Sequence, residues 1–210
     1  MWKNHKRTII LTTILTLLPI AAGLILWDKL PDQMAIHFNA ANEPDNWASK
    51  PVAVLGMPAF LAALHVLCLF VTTHDPKNKD MTGVMKTLTF WICPFISWLC
   101  AALTMGHALG AVSNIGMAVC VFLGILFLVI GNYLPKCTPN YTIGIKLPWT
   151  LSDEGNWRYT HRIGGFCFVA AGLVTLATAF FGTVWLSLAA LILAAVVPTV
   201  ASFLYYKKHS

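Results

Sequence analysis

Charge is what this sequence has least of. Only 10% of its 210 residues are Asp, Glu, Lys or Arg, against 58% hydrophobic. A soluble globular domain carries about 25% charged residues, so a soluble enzyme is disfavoured. Acidic groups are the scarcest, with 8 Asp and Glu against 14 Lys and Arg. The six cysteines contain no Cys-x-x-Cys, which removes a disulfide framework and a zinc ribbon. The composition also rules out a disordered or collagen-like chain. There is no phosphate loop, metal triad or nucleophile–base pair. A polytopic membrane protein remains.

Six long apolar stretches carry that reading: Thr8–Trp27, Val52–Thr73, Thr87–Leu109, Ile115–Leu134, Ile163–Phe181 and Val184–Tyr206. None shows the two-residue alternation of a barrel strand, so each is expected to be a spanning helix. Pro19, Pro58, Pro94 and Pro198 lie inside them and predict kinks. Every Asp, Glu, Lys and Arg falls outside the six stretches. A carrier driven by an intramembrane carboxylate is therefore disfavoured.

The basic residues orient the chain. Lys3, Lys6, Arg7, Lys77, Lys79, Lys86, Lys136, Lys146, Arg158, Arg162, Lys207 and Lys208 fall on one side, and only Lys29 and Lys50 on the other. The positive-inside rule puts both termini in the cytoplasm. The net charge of +6 then reflects topology and anionic headgroups, with no direct nucleic-acid role. The first stretch exceeds the 7–15 residues of a signal-peptide core and is expected to remain as an uncleaved anchor.

Cys68, Cys93, Cys100, Cys120 and Cys167 lie in spans and Cys137 in a loop, where free cysteine acts as a small hydrophobe. His65 and Cys68 share a helix face and could bind a soft metal, but two ligands from one turn are a weak set. Hydrogen bonding of His65 to a neighbouring helix is the plainer reading, and His107 is read the same way. No metal or cofactor is expected.

Two loops are too long to be mere connectors. The first, residues 28–51, is expected outside the membrane. It combines an extended Met34–Phe38 with turn chemistry from Asn39 to Asp45, where Asn42 suits a left-handed position. Trp47 belongs near the membrane surface. This loop reads either as a small cap or as a ligand-contacting surface offering His37, Asn39, Asp45 and Trp47. The second, residues 135–162, is expected in the cytoplasm. Pro135, Pro139 and Pro148 break its first half. A helix then starts with Ser152 as N-cap and runs unbroken into the fifth span. Trp157 and His161, four apart, share a face, and with Trp149 and Tyr141 make a polar-aromatic cluster. An interfacial aromatic belt would look similar. Asn132, one turn inside the fourth span, needs a polar partner, and His161 and Arg162 are the expected ones. Both loops open with Leu-Pro and close with Asn-Trp, a thin hint of a 3+3 inverted arrangement.

Gly131-Asn132-Tyr133-Leu134-Pro135-Lys136, Pro139-Asn140-Tyr141, Ile143-Gly144-Ile145-Lys146, Pro148-Trp149-Thr150-Leu151, and Trp157 with Thr160-His161-Arg162 and Gly165 resemble the signature of the SdpI-like family, bacterial membrane proteins named for immunity to a secreted peptide toxin. Leu30-Pro31, Ile36-His37-Phe38-Asn39, Pro44-Asp45, Trp47 and Lys50 resemble a small domain of unknown function that often precedes it. Lys146 departs from the family's usual Arg, and Leu147 from its usual Thr.

The resemblance implies an all-α, six-helix protein of the bacterial cell membrane. Its expected domains are a two-span unit (1–80) and a four-span SdpI-like unit (85–210). It implies toxin immunity and signalling, with a peptide toxin outside, a cytoplasmic transcriptional repressor inside, and the lipid bilayer around. Asn132, Asn140, Gly144, Lys146, Pro148, Trp149, Thr150, Trp157, His161 and Arg162 are then the ligand- or partner-binding set. A small-solute or lipid transporter is the alternative. A membrane enzyme using His161 as acid–base is the weakest reading, and the chain is not expected to be an enzyme.

Overall fold

A computed structural model describes residues 2–76 and 83–209. Lys77, Lys79 and the boundary at residue 80 lie outside the described residues. Among those described, six helices are long and apolar enough to cross a membrane: His5–Ile25, Val52–Thr73, Gly83–Ala108, Ile115–Lys136, Glu154–Phe181 and Val184–His209. The chain packs as two compact units, Met1–His74 with Lys86–Ile115 and Asp75–Met85 with Gly116–Ser210.

The first unit begins with α1 (Trp2–Leu17) and α2 (Pro19–Ile25), which form one span broken at Pro19. Proline has no N–H, so the carbonyl four residues back, that of Leu15, loses its helical donor. Trp98 Nε1 donates to that oxygen at 3.1 Å, and the Ser97 hydroxyl donates to Thr16 O at 2.7 Å. Both donors belong to α4 (Gly83–Ala108). In hydrocarbon such carbonyls have no water to turn to, so the kink and these two side chains form one device. Thr12 and Thr16, fully buried, return their own hydroxyls to carbonyls of the preceding turn. His65, also fully buried, bonds Thr12 Oγ1 through Nε2 at 2.9 Å, as the plainer reading expected.

At Pro58 the chain passes through a wide turn, Val52–Gly56, before α3 (Met57–Thr73). By contrast, α4 and α8 (Val184–His209) run on through Pro94 and Pro198. Between the first two spans stands a hairpin of β1 (Gln33–Phe38) and β2 (Pro44–Ser49), with Gln33 opposite Ser49 and Phe38 opposite Pro44. Asn39 Oδ1 closes its tip by accepting from Ala41 N and Glu43 N, and Asn42 takes the left-handed conformation at φ 63°. Met34 packs with Leu30, Ala53, Val54, Ala101 and Met105. The second strand corrects the sequence reading, which gave Pro44 and Asp45 to the turn and offered no strand partner for Met34–Phe38. Pro, Asp and Asn are poor strand formers, and β2 exists through its pairing with β1.

In the second unit α5 (Ile115–Tyr133) crosses α7 (Glu154–Phe181) at van der Waals contact of the backbones. A Cβ on Gly172 would stand 2.8 Å from Gly124 O, and one on Gly131 would stand 2.8 Å from Gly165 O. The two glycines on each helix are seven apart, so both pairs fall on one seam. Gly182, at φ 67°, then ends α7 and turns the chain into α8.

Gly172→Ala should lower the stability of detergent-solubilised protein by about 1–3 kcal/mol, because backbone cannot yield as a side chain would. Gly56→Ala is the control. Its Cβ would meet only Val52, at 3.7 Å, and thermal unfolding should show it unchanged or slightly stabilised.

Candidate functional site

The second long loop is ordered by side chains that satisfy its own backbone. Leu134–Lys136 forms a single tight turn after α5. Asn140, 3% exposed, then folds the next residues around itself. Its Oδ1 accepts from Thr142 N at 2.9 Å and Ile143 N at 2.6 Å, and its Nδ2 donates to Thr138 O at 2.8 Å. Asp75 accepts from Tyr141 N and from the Thr142 hydroxyl. Lys146 Nζ donates to Tyr141 O and Thr142 O, both at 3.1 Å. A lysine thus clamps two carbonyls as point acceptors, without the planar fork of an arginine.

Pro148 opens α6 (Pro148–Ser152), a position where its missing N–H costs nothing. Buried Thr150 accepts from Leu147 N at 2.9 Å and donates back to the Ile145 and Leu147 carbonyls. Ser152 is not the cap of α7, contrary to expectation. Its hydroxyl donates to Trp149 O, while Asp153 accepts from Gly155 N at 2.7 Å. The extra turn of α6 moves Ser152 inside a helix and leaves extended Asp153 at the cap position.

The first two turns of α7 then present two polar faces. On one, Trp157 and His161 are fully buried and stacked, with ring centroids 4.0 Å apart. Trp157 Nε1 donates to Cys137 O at 2.7 Å. Ile145 N donates to His161 Nε2 at 3.1 Å, and His161 Nδ1 lies 2.8 Å from Trp157 O. One nitrogen must accept and the other donate, so this geometry assigns the neutral Nδ1–H tautomer. Gly144, at φ 118°, lies against this pair, and a Cβ there would stand 2.4 Å from His161 Nε2. On the other face, Asn156 and Thr160 point at α8. Asn156 Nδ2 donates to Ser202 O at 3.1 Å, and its Oδ1 accepts from Thr160 and from Ser202 Oγ. Trp149 Nε1 donates to that same Ser202 hydroxyl at 2.8 Å.

The structure therefore brings Asn140, Gly144, Lys146, Pro148, Thr150, Trp157 and His161 into one ordered loop, and ties Trp149 to it through Ser202. It does not bring in Asn132 or Arg162, which are exposed. The expected pairing of Asn132 with His161 is corrected, because both His161 nitrogens are spent on backbone. Nor does Tyr141 join Trp157, since Tyr141 is exposed. Asn156, Ser202 and Asp75 were missed as site residues. The Asn-Trp that closes the loop pointed at Asn156, whereas Ser202 and Asp75 lie far off in sequence. Burial holds the Cys137 thiol above its ordinary range, against a smaller opposing pull from the Asn140 amide, so it stays protonated near neutral pH. Among the described residues no group of three His, Cys, Asp or Glu could hold a metal.

A cavity of about 670 Å³ opens beside this loop, with Lys136, Glu154 and Arg158 on walls that include Pro135, Leu151 and Trp157. In the first unit, His37 and Asp45 pair at 2.5 Å across the hairpin, and Asn39 shapes its tip. Trp47 is 53% exposed. Phe38 packs edge-on against His107, and Asn42 Nδ2 donates to Ser113 O at 2.8 Å, which pins the hairpin to the end of α4.

His161→Ala should cost about 2–4 kcal/mol, since it deletes a packed ring and orphans Ile145 N. Gly144→Ala should cost more than about 2 kcal/mol through strain and the clash with His161. Asn132→Ala should stay within about 0.5 kcal/mol of the parent. Thermal unfolding in detergent, read beside membrane abundance, checks all three. Equal loss in Asn132→Ala would contradict its exposed placement.

Comparison with known proteins agrees with the motif reading. Residues 136–202 match the SdpI/YfhL protein family, and residues 14–62 match a domain of unknown function, DUF1648. The chain is 26% identical over 202 residues to the immunity protein SdpI of Bacillus subtilis (strain 168), covering 95% of this chain and 96% of that protein. No solved structure matches. The loop just described opens the first matched segment, and the hairpin lies within the second. With six helices long and apolar enough to span a bilayer, the chain is a multi-pass membrane protein in which a segment similar to DUF1648 precedes a segment similar to the SdpI/YfhL family.

Proposed function

We propose that this protein confers immunity on a bacterial cell against an extracellular peptide toxin, and that its second loop is the face offered to a cytoplasmic regulator. The observation that carries the first part is the similarity to an immunity protein over nearly the full length of both chains. The second part rests on the order of the loop. A segment of 28 residues with three prolines is held rigid by buried Asn140, Thr150, Trp157 and His161, so it presents a fixed surface. Pre-organised surfaces bind without paying loop-ordering entropy. On that surface Lys146 and Pro148 are exposed, and Asn132 and Arg162 are exposed on the helices that flank it. The excess of Lys and Arg on this side supports a cytoplasmic position for it, which leaves the hairpin with His37, Asn39, Asp45 and Trp47 for the outer side, where a toxin arrives.

Deleting the gene from its host should sensitise cells to peptide toxin in medium conditioned by the same species, and restoring the gene should reverse this. Unchanged resistance of the deletion strain would overturn the immunity reading. The double variant Asn132→Ala with Arg162→Gln should keep protection and membrane abundance while losing the transcriptional response to toxin. Loss of all three together would mean that these residues serve the fold. For orientation, a membrane-impermeant maleimide should label Ser49→Cys in intact cells and leave Ser152→Cys unlabelled. The reverse pattern would invert the topology.

A further inference from the structure

The cavity beside the second loop has two cations on its walls that no described residue pairs. Lys136 and Arg158 both line it. Among the described residues neither makes an ion pair or donates a hydrogen bond, and Lys136 Nζ rests only 4.6 Å from the centre of the Tyr133 ring. The third charged wall group is Glu154. Among the described residues, the charged groups on its walls therefore sum to a single positive charge. It lies between the end of α5 at Tyr133 and the start of α7 at Glu154, in the polar segment that joins the fourth and fifth apolar stretches, where chain next to a bilayer meets headgroups. Its remaining walls include Pro135, Leu151 and the buried Trp157 ring. Its volume of about 670 Å³ falls in the ordinary range for small-molecule sites.

We propose that this cavity binds a phosphodiester monoanion, the chemistry of an anionic phospholipid headgroup. Two cationic donors set around one space match the oxygens of a phosphate. The Glu154 carboxylate sets the charge state. A phosphomonoester near dianionic at neutral pH would meet that carboxylate, whereas a diester carries the single negative charge that the cavity balances. The apolar part of a mixed lining, Pro135 and Leu151, suits the glycerol carbons, and Thr138 and Ser152 beside it suit their oxygens. The walls are fixed before the ligand arrives, because Trp157 is tied to Cys137 O and Thr150 to the Leu147 and Ile145 backbone. This inference stands independently of the immunity reading.

The test uses the full chain in detergent, titrated with phosphatidylglycerol, phosphatidylcholine, soluble glycerophosphoglycerol and glycerol 3-phosphate, with bound ligand counted by native mass spectrometry. Phosphatidylglycerol should bind about tenfold more tightly than phosphatidylcholine. Lys136→Gln with Arg158→Gln should abolish that preference. Lys207→Gln with Lys208→Gln, equal in charge but outside the cavity, should preserve it. Binding of glycerophosphoglycerol as well as lipid would support the site and show that the headgroup suffices. Binding of the lipid alone would support it with acyl chains required. Glu154→Gln should raise affinity for glycerol 3-phosphate several-fold. An equal loss in the Lys207 and Lys208 variant would reduce the effect to general surface charge and overturn the proposal. A preference of the unaltered protein for glycerol 3-phosphate would overturn it too. All substituted positions are exposed, and unchanged thermal unfolding will show that the variants keep the fold.

Discussion

The absence of water from a bilayer core is the constraint on which this structure turns. Every backbone N–H and C=O at that depth must find a partner inside the protein. Where α1 gives way to α2, Pro19 withdraws a donor, and α4 supplies Trp98 and Ser97 in its place. The choice of a tryptophan N–H and a serine hydroxyl is economical in charge. Neither carries a formal charge to desolvate, and each reaches a carbonyl across a helix interface. The same solution recurs along α1, where Thr12 and Thr16 return their hydroxyls to the preceding turn. A chain with few charged residues can hold a polar seam in this way without any intramembrane ion.

That constraint also explains the second loop. Irregular backbone is tolerated near a membrane only where protein satisfies it, and this loop is satisfied almost wholly by side chains. Asn140 serves the backbone of Thr142 and Ile143, His161 serves Ile145, Thr150 serves Leu147 and Trp157 serves Cys137. The residues that looked like a reactive cluster in the sequence are largely the ones that hold the loop in shape. His161 is the clearest case. A buried histidine bonded to backbone at both nitrogens, with a glycine pressed against it, is a structural pin.

The spans were legible because their signal is local. Twenty apolar residues without a charge mean a helix whatever lies around them. The extended Met34–Phe38, the left-handed Asn42, the shared face of Trp157 and His161, and the break at Pro19 were legible for the same reason. The failures were non-local. β2 has unfavourable strand composition and exists through pairing with β1. The cap of α7 moved from Ser152 to Asp153 because α6 claimed Ser152 first. The partner of Asn156 is Ser202, 46 residues on, and nothing near either residue announces the other. Asn132 was placed with His161 because they stand at the facing ends of successive spans, but a residue one turn from a helix end can face outward as easily as inward.

α7 shows what those non-local choices accomplish. It meets α5 through Gly165 and Gly172, α8 through Asn156, which Thr160 steadies, and the loop through Trp157 and His161. The three contacts use three different physics: backbone contact, an amide–hydroxyl network, and aromatic stacking with backbone hydrogen bonds. Because the last two occupy adjacent residues at i and i+1, they sit about 100° apart around the helix. A rotation of α7 that improved one would spoil the other. The helix is thereby fixed in azimuth as well as in tilt, and the loop it carries inherits that rigidity. Anything that reads this loop meets a surface set by the transmembrane helices, so a change in how the helices of this unit pack is the route by which the loop's shape could change.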